Sequence, residues 1–173
     1  MVSAMNLNKL RGLLQKESEP IVLMNGASEY AAVALVIVGE DIVIEKRASS
    51  DIDPWSAQYS LPGGKFEVYD ITLRNTAIRE TMEETGIDLK NQEYFGFFGP
   101  DSPLNKPSMK VYAYVFRIAY EPKFKKSDEI DSVFTLPLSN FNSRDVEFNF
   151  GGIRIWGLTA RIISKFCEML GSS

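Results

Sequence analysis

The longest apolar run of the sequence, Tyr30 to Val38, constrains the fold more than any other stretch. It is rich in valine and isoleucine and far shorter than the ~20 residues that a membrane-crossing helix needs, so it reads as a buried β-strand. Gly39-Glu40-Asp41 then turns the chain into a second apolar segment, Ile42 to Lys46, and the two make a hairpin. With 173 residues, of which 45% are hydrophobic and 24% charged, the chain can bury a sizeable core. A chain of this length buries about 70% of its unfolded surface and needs no disulfide or metal staple.

The chemistry open to such a chain is narrowed by what it lacks. There is no histidine, which excludes serine–histidine and cysteine–histidine hydrolases and histidine-ligated metals. The single cysteine, Cys167, excludes an intramolecular disulfide and a cysteine-rich zinc site. Catalysis therefore rests on carboxylates, lysine, tyrosine, hydroxyls or an oxygen-held cation. A net charge of -4 gives no basic field for nucleic acid, and no segment suits a membrane. The first 20 residues have scattered charges and no apolar core of a secretory signal, so a cytoplasmic location is expected. There Leu7, Leu10, Leu13 and Leu14 recur at helical spacing, giving a short amphipathic helix and linker over 1–20 and one domain over 21–173.

Further along, a polar stretch, Arg47 to Gln58, leads into Leu61-Pro62-Gly63-Gly64. A helix is expected from about Ile71 to Thr85, with Asp70 as its N-cap and Gly86 closing it. Strands follow at Tyr94–Phe98, Lys110–Tyr120 and Ser132–Leu136, with a proline-rich loop over Gly99–Ser108. Pro137 to Phe141 reads as a short turn or helix, and Ile155 to Leu170 as a helix with Leu158, Ile162, Phe166 and Leu170 in one stripe. This order gives a mixed-sheet α/β domain.

Within the helix after the glycines, Glu80, Glu83 and Glu84 share one arc, while Ile71, Ile78 and Met82 cluster opposite and are expected to face a core. Two like charges ~5 Å apart repel by about 3 kcal/mol at an effective dielectric of 20. A hard divalent cation, Mg²⁺ or Mn²⁺, cancels that cost. The alternative is a solvated acidic face, where the repulsion is only tenths of a kcal/mol. Pro62-Gly63-Gly64 favours the first reading, because a backbone without Cβ lets a ligand approach closely.

The segment Gly64 to Ile87 resembles the signature box of the Nudix hydrolases, which split a diphosphate linkage with water and Mg²⁺. Gly64, Arg79-Glu80, Glu83-Glu84 and Gly86-Ile87 match it; Asp70 replaces a Glu, eight residues rather than seven precede Arg79, and Thr81 takes an apolar place. The Asp and the longer spacing, with Thr76-Ala77-Ile78-Arg79-Glu80 and Ile155-Trp156-Gly157-Leu158-Thr159-Ala160, resemble the coenzyme A diphosphatase-like branch. Upstream, Lys46-Arg47 and Asp53-Pro54-Trp55-Ser56-Ala57-Gln58 depart from that branch, and Leu61 stands where Phe is usual.

The resemblance implies a Nudix fold, a mixed sheet sandwiched between helices (α/β/α), and hydrolysis of a nucleoside diphosphate derivative such as coenzyme A. It implies that Glu80, Glu83, Glu84 and the Gly64 carbonyl hold Mg²⁺ or Mn²⁺, with Glu83, Glu84 and a loop acid, Glu129, as the catalytic groups. Asp128 and Asp131 are the other candidate bases, and Arg79 orients the carboxylates or pairs with Glu83. Arg47 and Lys65, with Lys46, are the candidates to meet substrate phosphates, and Trp55, with Tyr59, to stack a base. Family habit implies a homodimer. Two alternatives remain open at this point: a nucleotide-pool cleaner acting on nucleoside triphosphates or dinucleoside polyphosphates, and a Nudix-like module that senses a nucleotide without cleaving it.

Overall fold

In the computed structural model, which describes residues 7–15, 19, 20, 22 and 29–171, the apolar run forms β1 (Glu29–Val38). It turns through Gly39 into β2 (Asp41–Arg47). β1 sits mid-sheet. Along its whole length it pairs in parallel with β6 (Met109–Ile118), which pairs antiparallel with β5 (Glu93–Asp101). On its other edge β1 changes partner. Its first half, Ala31–Val33, pairs with β4 (Gly63–Lys65), and its end, Ile37–Val38, pairs with β2. β2 then carries β7 (Ile130–Pro137) and the two-residue β3 (Tyr59–Ser60).

Both faces of this sheet are covered, which is why β1 is apolar without alternation. Leu35 and Ile37 join a core beneath α1 (Leu7–Leu13) and α3 (Gly157–Leu170). Ala32, Ala34 and Val36 join a second core beneath α2 (Leu73–Thr85). The expected α/β/α sandwich is therefore the architecture found. A hairpin of β8 (Phe148–Phe150) and β9 (Ile153–Ile155) precedes α3, so Ile155 lies in a strand rather than in the helix. No helix among the described residues is long and apolar enough to cross a membrane. Of the expected N-terminal helix and linker, residues 1–6 and 16–18 lie outside the described residues.

The helix that carries the acids departs from expectation in two ways. It starts at Leu73, capped by Thr72, whose hydroxyl accepts the Asn75 N–H at 3.1 Å; Asp70 is not its cap but closes the 3₁₀ turn Val68–Asp70. Its buried face is also not the one that periodicity selects. Ile71 and Met82 are 80% and 50% exposed, and only Ile78 of that trio is buried. Leu73, Ala77, Thr81 and Thr85 face the sheet instead, and Glu84 lies among them at 4% exposure. Small residues let α2 come close to the strands; on this face Glu84 accepts the Gly63 N–H and the Thr85 hydroxyl donates to the Thr81 carbonyl, while the Thr81 hydroxyl is buried without a partner.

Candidate active site

The glycine loop is fixed by close contact. A Cβ on Gly63 would overlap the Ala32 carbonyl oxygen, so only glycine lets β4 lie against β1 here. A Cβ on Gly64 would overlap the Glu80 carboxylate. The double glycine thus does two jobs, one for the sheet and one for the acid. The Gly63 N–H also donates to Glu84 Oε2 at 2.9 Å, tying α2 to the loop.

Arg79 organises the surroundings. Its Nε and Nη2 donate to the two oxygens of Asp70 at 2.7 and 2.9 Å, its Nη1 donates to Glu80 at 2.8 Å and Glu83 at 3.3 Å, and its Nη2 also reaches the Lys65 carbonyl at 3.1 Å. The contacts on which the two sequence alternatives for Arg79 rest, to Glu80 and to Glu83, are both present. Asp70 further accepts from the Glu67 N–H and the Thr76 hydroxyl, each at 2.9 Å. Burial pushes the Asp70 pKa up, but the Arg79 guanidinium and these donors outweigh it and hold the carboxyl below its usual range.

A second acid sits against Glu84 that sequence reading passed over. Glu45, on β2, is fully buried, and its Oε1 accepts the Ser60 hydroxyl at 3.3 Å. Its Oε2 has no hydrogen-bond partner. Burial, and then the charge of Glu45, push the pKa of Glu84 upward; burial does the same to Glu45, against the pull of Arg47 and of its hydrogen bond with Glu84. Glu80 is also raised, by burial first, with Arg79 opposing. The signal for Glu45 was present in the sequence: a carboxylate directly after Ile42-Val43-Ile44, two residues from Val43 and two from Arg47, must share their face of the strand.

The remaining candidates are placed as follows. Arg47 donates through Nε to Asp53 at 2.9 Å, and its Nη1 stands 3.8 Å from Glu84, so it lies at the acid cluster with its charge already engaged. Lys65 is drawn to Glu29 at 3.2 Å, and Lys46 to Asp131 at 3.4 Å. Trp55 is half-buried and packs, with Tyr59, against the core on the α1/α3 side. Glu129 is exposed in the turn before β7; its carbonyl accepts the Ala48 N–H at 2.9 Å, which brings that turn beside the end of β2. Glu83 is half-exposed toward solvent.

Six carboxylates, Glu45, Asp53, Asp70, Glu80, Glu83 and Glu84, are thus joined around two guanidiniums, Arg47 and Arg79. Among the described residues no three acids already converge on one point at metal-binding distance. The donor set nonetheless fits a hard divalent cation: all-oxygen, in negative excess, and with a buried carboxylate oxygen that no protein donor satisfies. The NUDIX domain family matches residues 29–151, which include this whole cluster. The chain belongs to the Nudix family.

Among its relatives is the mitochondrial coenzyme A diphosphatase NUDT8 of Homo sapiens, 32% identical over 129 residues, covering 64% of this chain and 54% of that protein. The chloroplastic Nudix hydrolase 22 of Arabidopsis thaliana is 30% identical over 162 residues, covering 78% of this chain and 53% of that protein. The chain spans about half the length of these curated relatives. In fold it is similar to the NUDIX domain of Shewanella oneidensis NrtR, with a TM-score of 0.63 at 17% identity, covering 83% of this chain and 89% of that one. The MutT protein of Methanosarcina mazei Go1 gives a TM-score of 0.60 at 20% identity, covering 87% of this chain and all of the other.

Proposed function

We propose that this Nudix chain hydrolyses a diphosphate linkage in a nucleoside diphosphate derivative, with coenzyme A or a close relative as the first substrate to test. The observation that carries the reading is the pairing of a glycine loop with two acids of α2: buried Glu84 bonded to the Gly63 N–H, and partly buried Glu80 filling the space left by the missing Cβ of Gly64. The name of the Homo sapiens relative supports the coenzyme A choice, and the ADP-ribose bound to the Shewanella oneidensis domain supports a nucleotide substrate.

Glu80, Glu83, Glu84 and the Gly64 carbonyl would hold Mg²⁺ or Mn²⁺. When bound, such an ion neutralises the diphosphate and lowers the pKa of the attacking water. Arg79 keeps Glu80 and Glu83 aimed from one anchor on Asp70, so the acids are positioned before substrate arrives. Arg47 holds Glu84 from the strand side. Glu129, in the turn beside the end of β2, serves as the general base. Lys65 and Trp55 stand as the substrate-binding candidates, and the homodimer implied by the family is carried with them.

The test is an assay with Mg²⁺ or Mn²⁺ against coenzyme A, ADP-ribose, dinucleoside polyphosphates and nucleoside triphosphates, scoring nucleoside monophosphate release, with Glu84→Gln as control. Metal-dependent turnover of a diphosphate-linked nucleotide, lost in the variant, is expected. Preference for triphosphates or dinucleoside polyphosphates would move the chain to the pool-cleaning class. Nucleotide binding with no turnover at all would overturn hydrolysis in favour of a sensor.

A further inference from the structure

Glu45 and Asp53 are the acids of this cluster that lie outside the signature segment, and of the two only Glu45 is buried. It lies on β2, not on α2 or the glycine loop, and its neighbours in the sheet are Ser60 on one side and Val133 on the other. Strand alternation gives it the same face as Val43, which packs into the core under α2, and as Arg47, which reaches Glu84. Its side chain therefore enters the layer between sheet and helix from the opposite wall to Glu84. The residue is fully buried, one carboxylate oxygen takes a long hydrogen bond from Ser60, and the other meets no N–H or hydroxyl donor, while the Glu84 carboxyl lies within hydrogen-bond reach of the group. A buried carboxylate oxygen with no donor is costly unless a cation or a proton meets it.

The nearby protein cations cannot fill that need. Arg47 spends its Nε on Asp53 and stands 3.8 Å from Glu84, while Arg79 is committed to Asp70, Glu80 and Glu83. We propose that Glu45 is a member of the cation-binding set, supplying its unpartnered carboxylate oxygen from β2 to an ion shared with Glu84. The inference rests on the hydrolase reading above and adds to it a ligand from outside the helical acid motif. In physical terms, the ion is gripped from two walls, strand and helix, rather than from the helix alone. The Ser60 hydroxyl then holds the other oxygen and fixes the orientation of the carboxylate, as outer partners of metal ligands do.

The experiment is a Mn²⁺ titration of the purified full chain, followed by loss of the free-ion electron paramagnetic resonance signal, for wild type, Glu45→Gln and Glu84→Gln. Thermal unfolding in EDTA is run beside it to establish that each variant is folded. Loss of affinity in both variants, about 10–100-fold for Glu45→Gln, is the expected result. Weakening in Glu84→Gln alone, with Glu45→Gln within about twofold of wild type, overturns the role of Glu45 and leaves the hydrolase reading intact. Unchanged affinity in both removes the metal assignment itself. If Glu45→Gln does not fold, a Mn²⁺-soaked crystal of the wild-type chain decides. An anomalous peak within about 2.5 Å of a Glu45 oxygen supports the assignment, and one confined to the helix acids refutes it.

Discussion

Replacing Asp70 by Asn removes a charge from a buried, doubly hydrogen-bonded ion pair while keeping its shape. The Asp70 side chain is 2% exposed and that of Arg79 19%, and two charge-assisted hydrogen bonds of 2.7 and 2.9 Å join them. Breaking a buried pair costs about 3–5 kcal/mol. Arg79 is partly solvated and keeps Glu80 and Glu83, so the lower end, about 3 kcal/mol, applies. For a chain of this size that is a fall of roughly 6–12 °C in Tm. The measurement is thermal and urea unfolding of both proteins in EDTA from pH 7 down into the acid range. Because the folded pKa of Asp70 lies below its unfolded value, the stabilisation is complete above about pH 4 and is lost as pH falls through the folded pKa. The gap between the two proteins should therefore close only in acid. A loss below about 1 kcal/mol at pH 7, or a gap that does not change with pH, would refute the reasoning.

Four further outcomes are expected. In EDTA the wild-type chain should lose stability as pH rises above about 4.3, because Glu45 and Glu84 have pKa values raised in the folded state; Glu84→Gln should flatten that slope in unfolding scans and abolish turnover. Gly63→Ala meets backbone atoms of Ala32 and Val33 and should cost several kcal/mol or block folding. Gly64→Ala first meets the movable Glu80 carboxylate and should keep Tm within a few degrees while lowering kcat about 10–100-fold, as unfolding and initial-rate assays would show. Thr72→Ala removes the cap of α2 and should cost about 1 kcal/mol, or about 2–4 °C in Tm, with little change in KM.

The sequence carried the sandwich because its strongest signals are local: an unbroken apolar strand, a turn at Gly39, and a terminal helix whose Ile162 and Phe166 are buried as their stripe requires. Bounds shifted by a few residues where a cap decides them, as at Thr72, or where a short strand takes the first residues, as at Ile155. Strands of two or three residues, such as β3, β4, β8 and β9, are too short for any period to mark. The helix face was misread for a physical reason. Periodicity weighs Ile71 and Met82 as core and glutamates as surface, whereas here buried glutamates find the Gly63 N–H, Arg47 and Arg79. Asp70 was read as a cap because its long-range partner, Arg79, becomes visible only once the loop folds back on the helix. Glu45 was missed because its significance depends on a strand and a helix meeting.

The switch of partners along β1 has a consequence for how such a chain can diversify. Since β2 and β4 take turns on one edge, residues 48–58 between β2 and β3 leave the ladder at the point where the acids gather and return without having to keep register with β1. Insertions or replacements there can reshape what the acids meet while the ladder on either side continues undisturbed. The molecule thus separates a fixed acid cluster from an interchangeable mouth, and new specificities are most readily sought by grafting that one excursion.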